Sequence, residues 1–175
     1  MKALFTAMAL AATFGLAGAA AAAAADAPTD PQIAHIAYTA GNIDIAAGKQ
    51  ALAKSHNAAV RAFASEMVRD HEAVNEKALA LVKQLKVTPE DNATSQGLAK
   101  AAAATHDKLA HLSGAAFDKA YVDNEVAFHK TVNGALESAL IPSAHNGQLK
   151  SLLETGLSLF REHQMHAEHL DSTLK

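Results

Sequence analysis

The run Val60–Leu85 constrains this chain more than any other stretch. Val60, Met67, Val74 and Leu81 recur every seven residues, and Ala64, His71, Ala78 and Leu85 recur four residues after them. Together they trace one apolar stripe at helical spacing. Arg61, Glu66, Arg69, Glu72, Glu76 and Lys83 fall mostly off it. A helix of this length with one narrow apolar face must lay that face against other helices. His71 breaks the rule, because it is a polar ring in the middle of the row to be buried.

The rest of the chain repeats the pattern. Alanine is abundant, β-branched runs are few and there are only four prolines, so the expected class is all-α. Asp30-Pro31 reads as an N-cap and a proline in the first turn, opening a first helix from about Pro31 to Lys54. Its inward side includes Ile33, Ile36, Ala40, Ile43 and Ala47, with Asp44 beside that side. Ser55-His56-Asn57 is a short polar break, so the second helix, about Asn57 to Lys86, should return antiparallel to the first. Thr88-Pro89-Glu90-Asp91 signals the start of an alanine-rich connecting helix that reaches about His111, with Thr88 as its cap. A third long helix, about Ala115 to Leu140, is closed by Ile141-Pro142, and a fourth runs from about Gln148 to Thr173. The fourth carries the seam Leu149, Leu153, Gly156, Phe160, His163, Ala167 and Leu170, stepping by four and three. Four long helices with an extra short helix in the crossover between the second and third is the ferritin-like arrangement of a four-helix bundle.

The first residues read differently. Met1-Lys2 is followed by an apolar stretch and then by small residues up to Ala25, the pattern of a secretory signal peptide. The expected organisation is a signal peptide over 1–25, a short linker over 26–30 and a helical bundle domain over 31–175. Export to the periplasm follows, with room for a loose outer-membrane association and with no transmembrane segment once the leader is cleaved. There is no cysteine, so no disulfide supports the exported domain, and packing or a ligand must do so. Without Lys2 the chain has 14 basic and 18 acidic residues, a formal charge of -4, and its lysines are scattered. That is not the footprint of a nucleic-acid-binding protein.

Ten histidines are present, and three of them occupy core rows: His71, His129 and His163. They sit near the middle of three different helices, and Asp44 sits near the middle of the first. In an up-and-down bundle such positions share a level. Glu125 lies one turn before His129 on the same face, and Tyr121 one turn before that. Imidazole and carboxylate suit a transition metal such as zinc, copper or iron, so Asp44, His71, Glu125, His129 and His163 are candidate metal ligands. Tyr121 and His166 would lie in the layer behind them. The same residues could instead form a buried His/Asp hydrogen-bond network with no metal. Asp70 and Glu72, which flank His71, read as solvated charges. His163, His166 and His169 step along α-helical spacing as a second feature, either a surface copper or nickel site or a wet histidine-rich face with His169 turned outward, and His35, His56, His106, His111 and His145 read as exposed. No glutamate has a histidine three residues later, which weakens a di-iron oxidase reading. Phosphate loops, nucleophile elbows and cysteine motifs are likewise missing.

The stretches Val60–His71, Leu112–Asp123, Glu125–His129 and Leu159–His163 with Ala167 resemble the bacterial domain-of-unknown-function family numbered 4142, over roughly Ile33 to Leu170. The resemblance implies an exported, ferritin-like helical bundle. The family's three recurring histidines fall on His71, His129 and His163, and its first-helix acid falls on Asp44, where glutamate is more usual. A proline common five residues before the last histidine is Ser158 here, which leaves the family's helix start or kink in question. The resemblance implies no activity.

The functional expectation is a periplasmic metal- or small-ligand-binding protein tied to envelope stress, and not an enzyme. The competing class is a structural or protein-interaction module with a metal-free His/Asp network, and a third is a metal-dependent oxidoreductase. Nothing in the residues specifies a protein partner, and oligomerisation is left open.

Overall fold

The computed structural model describes residues 27–174; the leader expected over 1–25 lies outside them. Among the described residues the chain is all-helical, with five helices and no strand. They are α1 (Asp30–Lys54), α2 (Ala58–Leu85), α3 (Ala93–Ala110), α4 (Gly114–Ala135) and α5 (Gly147–Thr173). None is long and apolar enough to cross a membrane.

Local chemistry sets the boundaries. Thr29, rather than Asp30, caps α1: its hydroxyl accepts from the Gln32 N–H, and the Gln32 side chain accepts from the Thr29 N–H. Asp30 is freed for another task, and its carboxylate accepts from the backbone N–H groups of His145 and Asn146 in the turn before α5. Asn57 and Asn146 cap α2 and α5, each side chain accepting from two N–H groups of the first turn. The start of α3 is later than the Thr88 signal suggests. Asn92 accepts from the N–H groups of Thr94 and Ser95, and Asp91 accepts from the Ser95 hydroxyl and the Gln96 amide. Thr88–Asp91 stays outside the helix, and the Glu90 N–H donates to the Pro31 carbonyl of α1. The end of α4 differs as well. Proline does not stop the helix at once; the chain widens into a π-turn over Leu136–Leu140, with the Ile141 N–H reaching the Leu136 carbonyl, and continues through Ile141–Ser143. A wider turn leaves room for a proline ring that has no N–H to donate.

Two apolar clusters fix the directions of the helices. One joins the C-terminal end of α1 (Ala51), the start of α2 (Val60, Phe63, Ala64, Met67), Leu109, Phe117, Tyr121, Val122, Ala167 and Leu170. The other joins Ile33 and Ile36 at the start of α1 to Leu136, Leu140, Leu149, Leu153 and Leu157, with Leu81 and Leu98 at its edge. Thus α1 and α2 run antiparallel, α3 crosses back along the outside, and α4 therefore runs parallel to α2 before α5 returns. Only Ser95 and Leu109 of α3 are buried, as befits a connecting helix.

The buried face of α1 is rotated from the expected one. Ile43 and Ala47 are half-buried, whereas Gly41, Asp44 and Gly48 are buried. The cause is close approach by α2. A Cβ on Gly48 would stand 2.8 Å from Val68 and 3.0 Å from the Ala64 carbonyl, and one on Gly41 would stand 2.4 Å from Asn75. Two glycines one turn either side of Asp44 let α2 come near enough to bring His71 to that acid.

Candidate metal centre

Between the two apolar clusters lies a layer of buried polar side chains, one or more from each of α1, α2, α4 and α5. Asp44, His71, Glu125, His129 and His163 are all buried. Glu125 and His129 belong to the α4 row Phe117, Tyr121, Glu125, His129, Asn133, which steps by four and points wholly inward. His163 occupies the seam of α5 between Gly156 and Ala167.

The three imidazoles face one another. Their ring centroids are 5.8 Å (His71 to His129), 5.3 Å (His71 to His163) and 5.6 Å (His129 to His163) apart. One nitrogen from each lies within 4.8 Å of the others. Two of the ring nitrogens are hydrogen-bonded within the protein. His129 Nδ1 lies 3.0 Å from the Glu125 carbonyl, and His163 Nε2 lies 3.1 Å from Asp70 Oδ2. Those contacts require N–H donors, which leaves His129 Nε2 and His163 Nδ1 as lone pairs, and neither has a hydrogen-bond partner. Neither ring nitrogen of His71 has one either, although Nε2 lies 3.5 Å from Asp44 Oδ2. The His71 ring is fixed instead by stacking on Phe160, at 4.7 Å and 12°.

Burial, reinforced by the other two imidazoles, pushes the His71 pKa down to about 2. Burial also takes His129 down to about 4, against the opposing pull of the Glu125 carbonyl. His163 is lowered too, chiefly by burial, although Asp70 works against this. All three rings are therefore neutral near pH 7, the form in which imidazole binds a metal.

A second group, Asp44, Glu125 and His129, also brings one ligand atom from each residue within 4.8 Å, so His129 is shared by the two groups. Burial drives the Glu125 pKa up to about 8, and burial together with the Glu125 charge raises Asp44 well above the carboxylate range. Two carboxyls buried in one dry site resist ionising, and both are held protonated. Tyr121 is fully buried, its hydroxyl has no partner, and burial beside these acids raises its pKa.

The expected site residues are thus brought together at one level: Asp44, His71, Glu125, His129 and His163, with Tyr121 behind the acids. His166 is set apart. It is exposed, and its Nδ1 lies 2.8 Å from Glu66. His56, His106, His111, His145 and His169 are exposed as expected, while His35 is half-buried, 3.8 Å from Asp91.

Asp70 departs from the expectation of a solvated charge. It holds His163 while the Arg69 guanidinium grips it at 2.7 and 3.0 Å and keeps its carboxyl below the usual range. No periodic signal marks it, because it lies one residue off the buried row. Its only trace is its place between an arginine and a core histidine.

The family model described as a domain of unknown function, DUF4142, matches residues 15–170. The chain belongs to the DUF4142 family. No curated protein and no solved structure matches it. Ser158, where the resemblance suggested a proline, lies inside the unbroken helix α5 of this DUF4142 domain, so His163 is delivered without a break in that helix.

Proposed function

We propose that this DUF4142 protein is an exported, periplasmic ferritin-like four-helix bundle that binds one transition-metal ion at His71, His129 and His163. Asp44 and Glu125 supply carboxylate oxygens beside it. The observation that carries this reading is the division of labour in the imidazoles. One nitrogen each of His129 and His163 is anchored to the Glu125 carbonyl and to Asp70, their other nitrogens have no partner, and the three rings each bring a nitrogen within 4.8 Å of the others. Metal-ligating histidines are oriented in this way by acceptors behind them. The donor set fits zinc, copper or iron, all of which accept neutral imidazole. A metal-free hydrogen-bond network explains less, because it leaves both nitrogens of His71 and both carboxylate oxygens of Glu125 without partners in a dry core. An ion bound by three helices would also support a domain that has no disulfide.

The role supported is binding, not a reaction, and a place in the response to envelope stress is the context proposed for it. The test is elemental analysis of the mature domain prepared without a histidine tag, with thermal melts before and after chelation. The expected result is about one equivalent of metal per chain, a lower melting temperature in chelator, and loss of the metal in His129→Ala. A protein that takes up none of the three metals on reconstitution, and whose melt ignores chelator, would exclude the centre.

A further inference from the structure

The polar layer is also the inner end of a cavity. Between α1, the C-terminal half of α2, the end of α4 and the N-terminal half of α5 lies a space of about 730 Å³. It runs from Pro28 beside the start of α1 to Asp44, roughly 20 Å along that helix at 1.5 Å per residue. Its walls are mostly aliphatic, among them Ile36, Leu81, Val132, Leu149 and Leu153. Its inner end is formed by Asp44, His71 and Asn75, with Phe160 beside His71. The size and the apolar walls with a few convergent polar groups are those of a small-molecule site.

His71 is what makes this more than a packing defect. It is 2 % exposed, it lines the cavity, and neither ring nitrogen has a partner. A dry aliphatic space needs no occupant, but an unsatisfied imidazole at its end costs free energy until something hydrogen-bonds to it. We infer that the cavity binds an uncharged amphiphile, a linear apolar chain ending in a hydroxyl or carbonyl oxygen, with that oxygen at His71 and the chain along α1. A carboxylate head would lose its water at a dry end where no cationic side chain among the described residues lines the cavity to pair it. A quaternary ammonium head has no group to donate to or accept from the ring. The inference does not depend on the metal. An ion takes one nitrogen of His71 and leaves the other for the ligand.

The test uses the mature domain, once freed of metal and once supplemented with zinc. N-phenyl-1-naphthylamine serves as a neutral fluorescent probe, with 1-dodecanol below its solubility limit and dodecanoate and dodecyltrimethylammonium below their micelle concentrations as competitors. The expected outcome is saturable binding of one probe per chain in both preparations, with dodecanol displacing it at least about tenfold more effectively than either charged competitor. Ala78→Trp and Val132→Trp, which fill the cavity from half-buried positions on opposite walls, should each weaken probe binding by about tenfold or more. His71→Phe keeps a ring for Phe160 to stack on and removes the nitrogens, so the probe should still bind while the preference for the alcohol is lost. Failure of the metal-uptake test alone leaves these results unaffected. Absence of saturable binding, indifference to both tryptophans, or a charged competitor as effective as dodecanol would overturn the inference.

Discussion

At one end of the bundle Phe63, Met67, Phe117, Tyr121 and Val122 have no exposed surface at all, and aromatic rings fill the space between α2 and α4. At the other end aliphatic residues of α1 and α5 meet the π-turn after α4, Leu81 is only half-buried, and a cavity remains. The same four long helices thus make one dense end and one loose end, with the histidine layer between them. The difference follows from side-chain volume. The first half of α2 offers Phe63 and Met67 to the interior, whereas the second half offers Val74, Ala78 and Leu81, which line the cavity. The dense end fixes where the helices start, and the polar layer gains its geometry from that side. The loose end is where a ligand can enter without disturbing it.

The largest effect expected from this contrast is at the dense end. Phe63→Ala removes a ring that touches Tyr121 and the exposed His166, in a region with no slack to refill the space. A loss of about 3–5 kcal/mol in urea unfolding is expected. A loss below about 1 kcal/mol would mean that the two ends are packed alike.

The polar layer should be visible in the pH dependence of the metal-free protein. Below an unfolded histidine pKa of about 6.5, the unfolded chain takes up protons that His71, His129 and His163 refuse while folded. Their contribution is therefore lost as pH falls from about 6.5 towards 4. The acids act in the opposite sense. Glu125, raised to about 8, and Asp44 keep protons in the folded state that the unfolded chain releases above about 4.5, so their contribution is lost as pH rises towards 8. Three imidazoles outweigh two carboxyls on the acid side, and the carboxyls act alone on the alkaline side. Chelator-treated protein should be most stable near about pH 6, with slopes of about 1.4 kcal/mol per pH unit for each unmatched proton. Urea midpoints that rise steadily from pH 5 to 8 would show that Asp44 and Glu125 are not held protonated.

The unequal visibility of these features in the sequence has a physical basis. His71, His129 and His163 were legible because a polar residue in an apolar helical row must be buried, and rows on successive helices can be aligned by their midpoints. The all-helical class and the outward position of α3 were legible for the same reason. Asp70 was not, because its role depends on which flank of α2 faces α5, and periodicity within one helix does not carry that information. The rotation of α1 was also hidden. Ile43 and Ala47 are the more apolar choice, and only the contacts of Gly41 and Gly48 with α2 show that the small-residue side is the buried one. The cavity was invisible for a related reason: the stripe of α2 continues without interruption into Leu81 and Leu85, but nothing along the stripe tells whether a partner helix is close enough to cover it.

The smallest effect expected is at that uncovered stretch, and it sharpens the contrast best. Leu81 continues the same heptad row as Val60 and Met67, so the sequence alone would rank the three as equal core positions. In the fold Leu81 is half-buried and borders a space that is already open. Leu81→Ala therefore creates little new cavity and removes little surface from contact, and should cost no more than about 1 kcal/mol, against about 2–5 kcal/mol for Met67→Ala in the same row. If Leu81→Ala proves as costly as Met67→Ala, the loose end closes on itself in solution, and the cavity at His71 goes with it.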